Sequence, residues 1–201
     1  MAATLVSDRQ ALHRVTERLR GATRIALDTE ANGFHAYRPR LCLIQLAWEA
    51  PGEGGEALID PLAFRPEQGD LAGLAAVLGD PPGPVVVHGG DYDVRLLKRD
   101  AAIAPARLFD TEIAARLVGR RRTGLAALVE EIAGVRLSKA AQRTDWARRP
   151  LPPRALDYAL DDVRYLPALH DRLQAELDRL GRRSWAEEEF RWLESVAPAE
   201  E

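Results

Sequence analysis

The chain has almost no cysteine and no long hydrophobic run, and these absences exclude several classes of protein. Cys42 is the only cysteine, so no disulfide can form within the chain, as is typical of the reducing cytoplasm. No apolar stretch approaches the roughly 18 residues that a membrane span requires. Residues 1–8 lack the basic segment and apolar core of a secretory signal. There is also no Cys/His cluster for zinc and no Walker-type phosphate loop. We therefore expect a cytoplasmic protein without a membrane partner.

The composition is that of a globular protein whose charge is distributed unevenly along the chain. The 201 residues are 46% hydrophobic and 29% charged, which suits one domain with a full core. The net charge is −4 over residues 1–115, +7 over residues 116–154 and −6 over residues 155–201. A basic middle segment suits a polyanion lying across part of the surface, while acids elsewhere hold metal. The alternative is that residues 120–122 form only a solvated helix end.

Hydrophobic periodicity predicts a mixed α/β protein. Strands are expected at residues 24–30, 41–48, 57–60, 85–88 and 108–109, with the first three forming an antiparallel meander because a short loop joins the second and third. Helices are expected at residues 8–20, 67–78, 91–99, 111–118, 125–133, 154–180 (bent at Pro167) and 185–196. Capping boxes at Ser7/Gln10 and Ser184/Glu187 mark the starts of the first and last helices. No linker divides the chain, so we expect one domain over residues 1–201.

The first candidate site lies at the end of the first strand. Asp28 and Glu30 are two residues apart, so on an extended chain they project from the same face. Carboxylates this close repel each other. A divalent cation removes the repulsion because Mg²⁺ and Mn²⁺ prefer carboxylate oxygens. The alternative is a solvated strand end whose acids cap the next loop.

Two further segments carry acids. Asp93 lies on the first turn of a predicted helix, where acids favour the helix dipole, and this general reason would select Asp91 equally. Tyr158 and Asp162 are four residues apart and share one helical face. The alternative there is a half-buried tyrosine beside a surface acid.

Together these segments resemble the three exonuclease motifs of the DEDD superfamily, and in particular the ribonuclease D-like 3′–5′ exonucleases. The matching motifs are Asp28-x-Glu30, Asp93 in His-x₄-Asp-Val-x-x-Leu, and Tyr158-x₃-Asp162. Residues 37–46 are similar to the second strand of that family, and residues 139–151 to its loop before the third motif. The residue five positions before Asp162 is Asp157 rather than histidine, which matches the tyrosine subclass.

The resemblance implies an α/β, ribonuclease H-like fold in which helices flank a mixed sheet of about five strands, the second antiparallel. It implies hydrolysis of phosphodiester bonds from a 3′ end, release of nucleoside monophosphates and two divalent cations, Mg²⁺ or Mn²⁺. The expected partner is single-stranded RNA with a free 3′ end, and no protein partner is evident. The alternatives are the same chemistry on single-stranded DNA and a catalytically silent nucleic-acid-binding module. We expect no counterpart of the helical C-terminal modules of ribonuclease D.

The resemblance also assigns roles to individual residues. The metal ligands are Asp28, Glu30, Asp93 and Asp162, and Tyr158 completes the catalytic set. Tyr158 orients the attacking water, because an unperturbed pKa near 10 makes it a poor base at pH 7. The candidate substrate contacts are Thr29, Phe34, His35, His88, Lys139 and Arg143.

Physical reasons support some of these substrate contacts. Phe34 and His35 suit stacking on, or wedging, the terminal bases, with core packing as the alternative for Phe34. Lys139 and Arg143 belong to the basic segment and are expected near phosphates. Asp161 should point away from the site, towards solvent or a basic neighbour, because consecutive helical residues are about 100° apart.

Overall fold

A mixed six-stranded sheet forms the centre of the molecule. The computed structural model describes residues 5–138 and 141–200. The strands are β1 (Leu5–Val6), β2 (Arg24–Ala31), β3 (Leu41–Glu49), β4 (Gly55–Ile59), β5 (Val85–Val87) and β6 (Leu108–Asp110). They lie in the order β1-β4-β3-β2-β5-β6. The strand beyond the expected five is β1, which pairs parallel with β4 and is too short to show a periodic pattern in the sequence.

Strand pairing confirms the predicted meander. β3 is antiparallel to both β2 and β4, whereas β5 is parallel to β2 and to β6. β2 therefore lies in the interior of the sheet. This position explains why its first half is a continuous apolar run rather than an alternating one.

Eight helices lie on the two faces of this sheet in the described part of the chain. They are α1 (Arg9–Arg20), α2 (Ala72–Gly79), α3 (Asp91–Ala101), α4 (Thr111–Leu117), α5 (Leu125–Ala133), α6 (Pro153–Arg164), α7 (Leu166–Arg179) and α8 (Arg183–Ser195). Ile25 and Leu27 belong to a core shared with α1, α2 and α3. Ala26, on the opposite face, packs in a core with α4, α5 and α7. Because side chains alternate along a strand, Asp28 and Glu30 continue the face of Ala26.

Several predicted helix boundaries were wrong for local reasons. α1 is capped by Asp8, whose Oδ1 accepts the Ala11 amide at 2.8 Å, rather than by Ser7. The expected helix at residues 67–78 is a short 3₁₀ turn, Pro66–Gln68, followed by α2. α8 begins at Arg183 without a side-chain cap, so Ser184 does not act as one.

The expected long helix at residues 154–180 is two helices that meet at Tyr165. Pro167 falls in the first turn of α7. Amide groups in the first turn of a helix have no partner within the helix, so the missing amide hydrogen of proline costs no hydrogen bond there. The proline therefore starts a new helix instead of bending a continuous one. No helix among the described residues is long and apolar enough to cross a membrane.

Candidate active site

Asp28 and Glu30 lie at the end of β2, on the sheet face that α6 covers. Asp28 is directly opposite Gln45 of β3. Gln45 Nε2 donates a long hydrogen bond of 3.4 Å to Asp28 Oδ2. Gln45 is fully buried, and its Oε1 atom has no hydrogen-bond partner within the described residues. These surroundings are those of a polar cleft rather than of a solvated strand end.

Asp93 joins this strand end from the first turn of α3. The hydroxyl of Thr29 donates a hydrogen bond to Asp93 Oδ1. Asp91 instead forms an ion pair with Arg95 one helical turn later, at 3.0 Å. The two acids of the same turn therefore have different surroundings, and only Asp93 contacts β2.

The turn before α3 is held by a buried carboxylate. Asp110, at the end of β6, accepts the amide of Gly89 at 3.0 Å and that of Gly90 at 2.8 Å. Gly89 has a φ of +62°, which a residue with a side chain rarely adopts. This turn fixes where α3 begins, and so places Asp93 beside Thr29.

Tyr158 and Asp162 come from α6, one helical turn apart, and Tyr158 partly offsets the rise that burial causes in the pKa of Asp162. The Tyr158 ring also packs near the buried Trp146, with ring centroids 6.2 Å apart. Asp161 turns away and pairs with Arg164 at 2.6 Å, as the helical geometry predicts. The third segment thus presents Tyr158 and Asp162, and not Asp161, to the acids of β2.

The four carboxylates are close enough to alter one another's ionisation. Burial, reinforced by the charges of Asp93, Asp162 and Glu30, raises the pKa of Asp28 well above its usual range. Burial and the charges of Asp162 and Asp93 raise the pKa of Glu30 to about 9. Burial likewise raises the pKa of Asp93 to about 6 and that of Asp162 to about 7. The raised pKa values show that the four carboxylates disfavour one another's ionised form.

These side chains fit divalent ions by their chemistry but do not form a finished coordination site. Within residues 5–138 and 141–200, no three His, Cys, Asp or Glu side chains are grouped as a ready metal site. One of the four carboxylates, Asp93, instead accepts a hydrogen bond from the hydroxyl group of Thr29. Oxygen donors and mutual repulsion match the requirements of Mg²⁺ or Mn²⁺. Small side-chain rotations would be needed for the four to converge.

The raised pKa values predict how the stability of the metal-free protein depends on pH. An acid whose pKa is higher in the folded state favours folding at low pH, and this advantage is lost as pH rises from its unfolded value to its folded one. For Glu30 that window runs from 4.5 to about 9. We expect the melting temperature in EDTA to fall between pH 5 and pH 9, by roughly 2–4 °C for each kcal/mol of repulsion. Glu30→Gln should flatten this fall, and identical pH profiles for the two proteins would contradict the assignment.

Phe34, His35 and Arg143 meet where the loop after β2 contacts the loop before α6. The Phe34 ring is 68% exposed, which excludes core packing. The Arg143 guanidinium lies 5.9 Å from the centre of that ring. His35 Nε2 lies 3.2 Å from the backbone oxygen of Arg143. The loop after β2 and the loop before α6 therefore meet, although they are more than 100 residues apart in sequence.

The other three candidate substrate contacts are His88, Lys139 and Thr29. His88 Nδ1 lies 2.9 Å from the Thr111 hydroxyl, which itself donates to the Val87 carbonyl. His88 Nδ1 must then carry the hydrogen, and burial lowers the pKa of the ring, so His88 is neutral. Lys139 lies outside the described residues. Thr29 contacts Asp93, so its expected contact with substrate stays a prediction.

The sequence analysis missed residues that adjoin the acids. One of them is Gln45. It could have been identified because it is a polar residue within the apolar run of β3. A second is Arg122, which lines a cavity of about 470 Å³ together with Gln142, Tyr158 and Asp162. A third is Trp146, whose contact with Tyr158 no sequence spacing reveals.

Known proteins share both the sequence and the fold. Residues 3–178 match the family model described as 3′-5′ exonuclease. A ribonuclease D of Sphingobium indicum is 37% identical over 188 residues, which cover 92% of this chain and 47% of that protein. The crystal structure of Escherichia coli RNase D, described as an exoribonuclease involved in structured RNA processing, has a TM-score of 0.86 at 37% identity and covers 96% of this chain and 50% of its own.

A further relative matches over most of both chains. Brucella melitensis NrnC, solved with bound Mg²⁺, has a TM-score of 0.74 at 31% identity and covers 88% of this chain and 84% of its own. The same protein has been solved bound to pGG. This chain spans about half the length of the ribonuclease D relatives. The matches confirm the ribonuclease H-like α/β fold.

Proposed function

The chain belongs to the 3′–5′ exonuclease family, and we propose that it removes nucleoside monophosphates one at a time from the 3′ end of single-stranded RNA. The observation that carries this proposal is that four carboxylates and Tyr158 lie at one end of β2, near enough for the charges of the acids to raise the pKa values of Asp28, Glu30 and Tyr158. A silent nucleic-acid-binding module would have no use for such a cluster, because its charge repels phosphate and destabilises the fold. We propose a single catalytic domain, which is supported by the origin of these residues in one sheet and the helices against it.

Two divalent ions are part of the proposal, with Asp28, Glu30, Asp93 and Asp162 as their ligands. When bound, such ions lower the pKa of the attacking water and stabilise charge on the attacking and leaving oxygens. Mg²⁺ is supported by the NrnC structure, and Mn²⁺ by the shared preference of both ions for carboxylate oxygens. Thr29 and Gln45 would hold Asp93 and Asp28 in orientation through their hydrogen bonds.

Tyr158 would act as a hydrogen-bond donor and not as a base. Burial and the charges of Asp162, Glu30 and Asp28 raise its pKa above the usual value of 10. The phenol therefore keeps its proton at neutral pH and can orient the attacking water. Its packing against Trp146 would fix the direction in which the hydroxyl points.

The route of the RNA strand is proposed from the cations that remain unpaired. In the basic segment of residues 116–154, four arginines form ion pairs with acids: Arg116, Arg120, Arg136 and Arg149. Five form no ion pair within the described residues: Arg121, Arg122, Arg143, Arg148 and Arg154. Arg122 lines a cavity together with Tyr158 and Asp162, and Arg143 lies over the exposed Phe34 ring, so we place the strand along these two arginines.

Binding should weaken with salt if these arginines contact phosphates. The logarithm of the affinity for single-stranded RNA should fall linearly with the logarithm of the salt concentration, by about 0.7 for each phosphate contacted. Arg143→Gln should weaken binding and reduce this slope by about one contact. Arg116→Gln is the matched control, because Arg116 already pairs with Glu112. An affinity that does not change between low and moderate salt would contradict the proposed route.

The substrate and the direction of attack can be tested together. RNA and DNA oligonucleotides of one sequence, labelled at the 5′ end, are incubated with Mg²⁺, with Mn²⁺ and with EDTA. We expect RNA to give a ladder that shortens one nucleotide at a time, only with metal, and to be protected by a blocked 3′ end. Faster loss of DNA would move the substrate to DNA and keep the chemistry. Internal cleavage, or no cleavage of either strand, would overturn the proposal.

A cytoplasmic location completes the proposal. Cys42 is buried and unpaired, so the fold does not depend on an oxidising compartment.

A further inference from the structure

A second surface close to the acid cluster carries exposed aromatic rings and unpaired cations. It is a cavity of about 670 Å³ lined by Tyr37, Arg38, Pro39, Arg40, Arg99, Asp100 and Glu200. Tyr37 to Arg40 belong to the loop that leaves β2 just after Glu30. The cavity contains none of the proposed metal ligands. None of its residues was among the candidate substrate contacts, although residues 37–46 resemble the second strand of the exonuclease family.

Tyr37 is held in solvent by a well-fixed loop. Its side chain is 100% exposed, so the ring contributes no packing to the fold. Asn32, which is buried, accepts the Arg40 amide at 2.9 Å. Asp100 accepts the Leu41 amide at 2.7 Å, and Arg99 donates to the Pro39 carbonyl. Several hydrogen bonds therefore fix this loop, and the Tyr37 ring at its tip is exposed to solvent.

The charges around this ring favour a polyanion. Arg38 and Arg40 are exposed and form no ion pair with any described residue. Of the two acids that line the cavity, Asp100 is paired with Arg99 at 2.6 Å, which leaves Glu200 against Arg38 and Arg40. Two unpaired guanidinium groups beside a free ring are the usual elements of a site that stacks bases and contacts phosphates of a single strand.

The surface is linked to the acid cluster by α3. Asp93 lies on the first turn of this helix, and Arg99 and Asp100, which line the cavity, are six and seven residues further along it. At a rise of about 1.5 Å per residue, this separation is about 10 Å along the helix axis. Trp185 and Trp192 on α8 are also exposed, but neither lines this cavity.

We infer that Tyr37, with Arg38 and Arg40, forms a stacking site for a nucleotide of the single strand upstream of the bond that is cut. This inference rests on the proposed function and extends it, because it names a binding position that the catalytic cluster does not contain. A dinucleotide held at the acids occupies only the positions next to the bond that is cut, whereas a longer strand extends beyond them onto the surface around Tyr37. The site therefore makes affinity depend on substrate length.

The test measures affinity and turnover separately. Binding of a fluorescent ten-nucleotide RNA and of a dinucleotide is measured by anisotropy in EDTA, where no hydrolysis occurs. Tyr37→Ala should weaken binding of the long RNA by roughly 5- to 100-fold, the range expected for one base–aromatic stack. Binding of the dinucleotide should not change. Tyr37→Trp should keep the affinity for the long RNA, since the ring and not the hydroxyl makes the contact.

Matched variants separate stacking from general surface effects. Trp185→Ala removes a ring on α8 that is 57% exposed and lies outside this cavity, and it should leave both affinities unchanged. Arg40→Gln should lower the salt slope of the long RNA by about one phosphate contact. In Mg²⁺, Tyr37→Ala should raise KM for the long RNA and leave kcat near that of the wild type. Equal affinity of wild type and Tyr37→Ala for the long RNA overturns the stacking site, whereas a wild type that binds but never hydrolyses overturns the proposed function alone.

Discussion

Asp162→Asn is expected to lose exonuclease activity by more than roughly 10³-fold, while its neighbour Asp161→Asn keeps most of it. Losing a metal ligand removes charge stabilisation from the transition state, and one such interaction commonly contributes 10²–10³-fold or more. Asp161 lies outside the cluster and is paired with Arg164 at 2.6 Å. Both variants exchange one oxygen for one nitrogen on the same helix, so a general effect on α6 would affect them alike.

Tyr158→Phe should fall between these two variants. Its loss removes the orientation of the attacking water but leaves every carboxylate in place, and a single orienting or general-base interaction contributes roughly 10²–10⁴-fold. Single-turnover rates on a 5′-labelled RNA, measured at saturating Mg²⁺, decide the order of the three variants. An inactive Asp161→Asn beside an active Asp162→Asn would mean that α6 presents the other acid to the site.

Asp93→Asn is expected to abolish hydrolysis and, at the same time, to stabilise the metal-free protein. Asp93 contributes to the repulsion that raises the pKa of Asp28 and of Glu30. Replacing its carboxylate by a neutral amide relieves that repulsion, whereas the amide oxygen can still accept the hydrogen bond from Thr29. Loss of function combined with a gain in stability is the pattern expected of an active-site charge, and not of a structural residue.

Asp91→Asn is the matched control for this prediction. Asp91 lies on the same first turn of α3 and pairs with Arg95 at the surface. Its replacement should leave the rate unchanged and the melting temperature in EDTA unchanged or slightly lower. Full activity in Asp93→Asn, or equal stability changes in the two variants, would contradict the assignment of Asp93.

The sequence predicted best those features that depend on local spacing. Alternation along β2 placed Asp28 and Glu30 on one face, and helical rotation separated Asp161 from Asp162. Both are properties of a backbone with a fixed period, so a few residues suffice to deduce them. The helix Leu125–Ala133 was likewise predicted from local signals.

Features that depend on distant partners could not be predicted in this way. The +7 segment contains Arg120 and Arg149, whose acids Glu176 and Asp60 lie 56 and 89 residues away in sequence. Net charge alone therefore overestimates the cations available to a substrate. Gln45 is similar, because its contact with Asp28 follows from the register of two strands. The two-residue β1 is held by β4 and has no pattern of its own.

Titration of Mn²⁺ into the metal-free protein, followed by calorimetry, tests the central claim most directly. The claim is that Asp28, Glu30, Asp93 and Asp162 together hold two divalent ions. The wild type and Asp161→Asn should each bind two ions, and Asp28→Asn should bind fewer ions or bind them much more weakly. Two ions bound with unchanged affinity in Asp28→Asn, or no Mn²⁺ bound by the wild type, would contradict it.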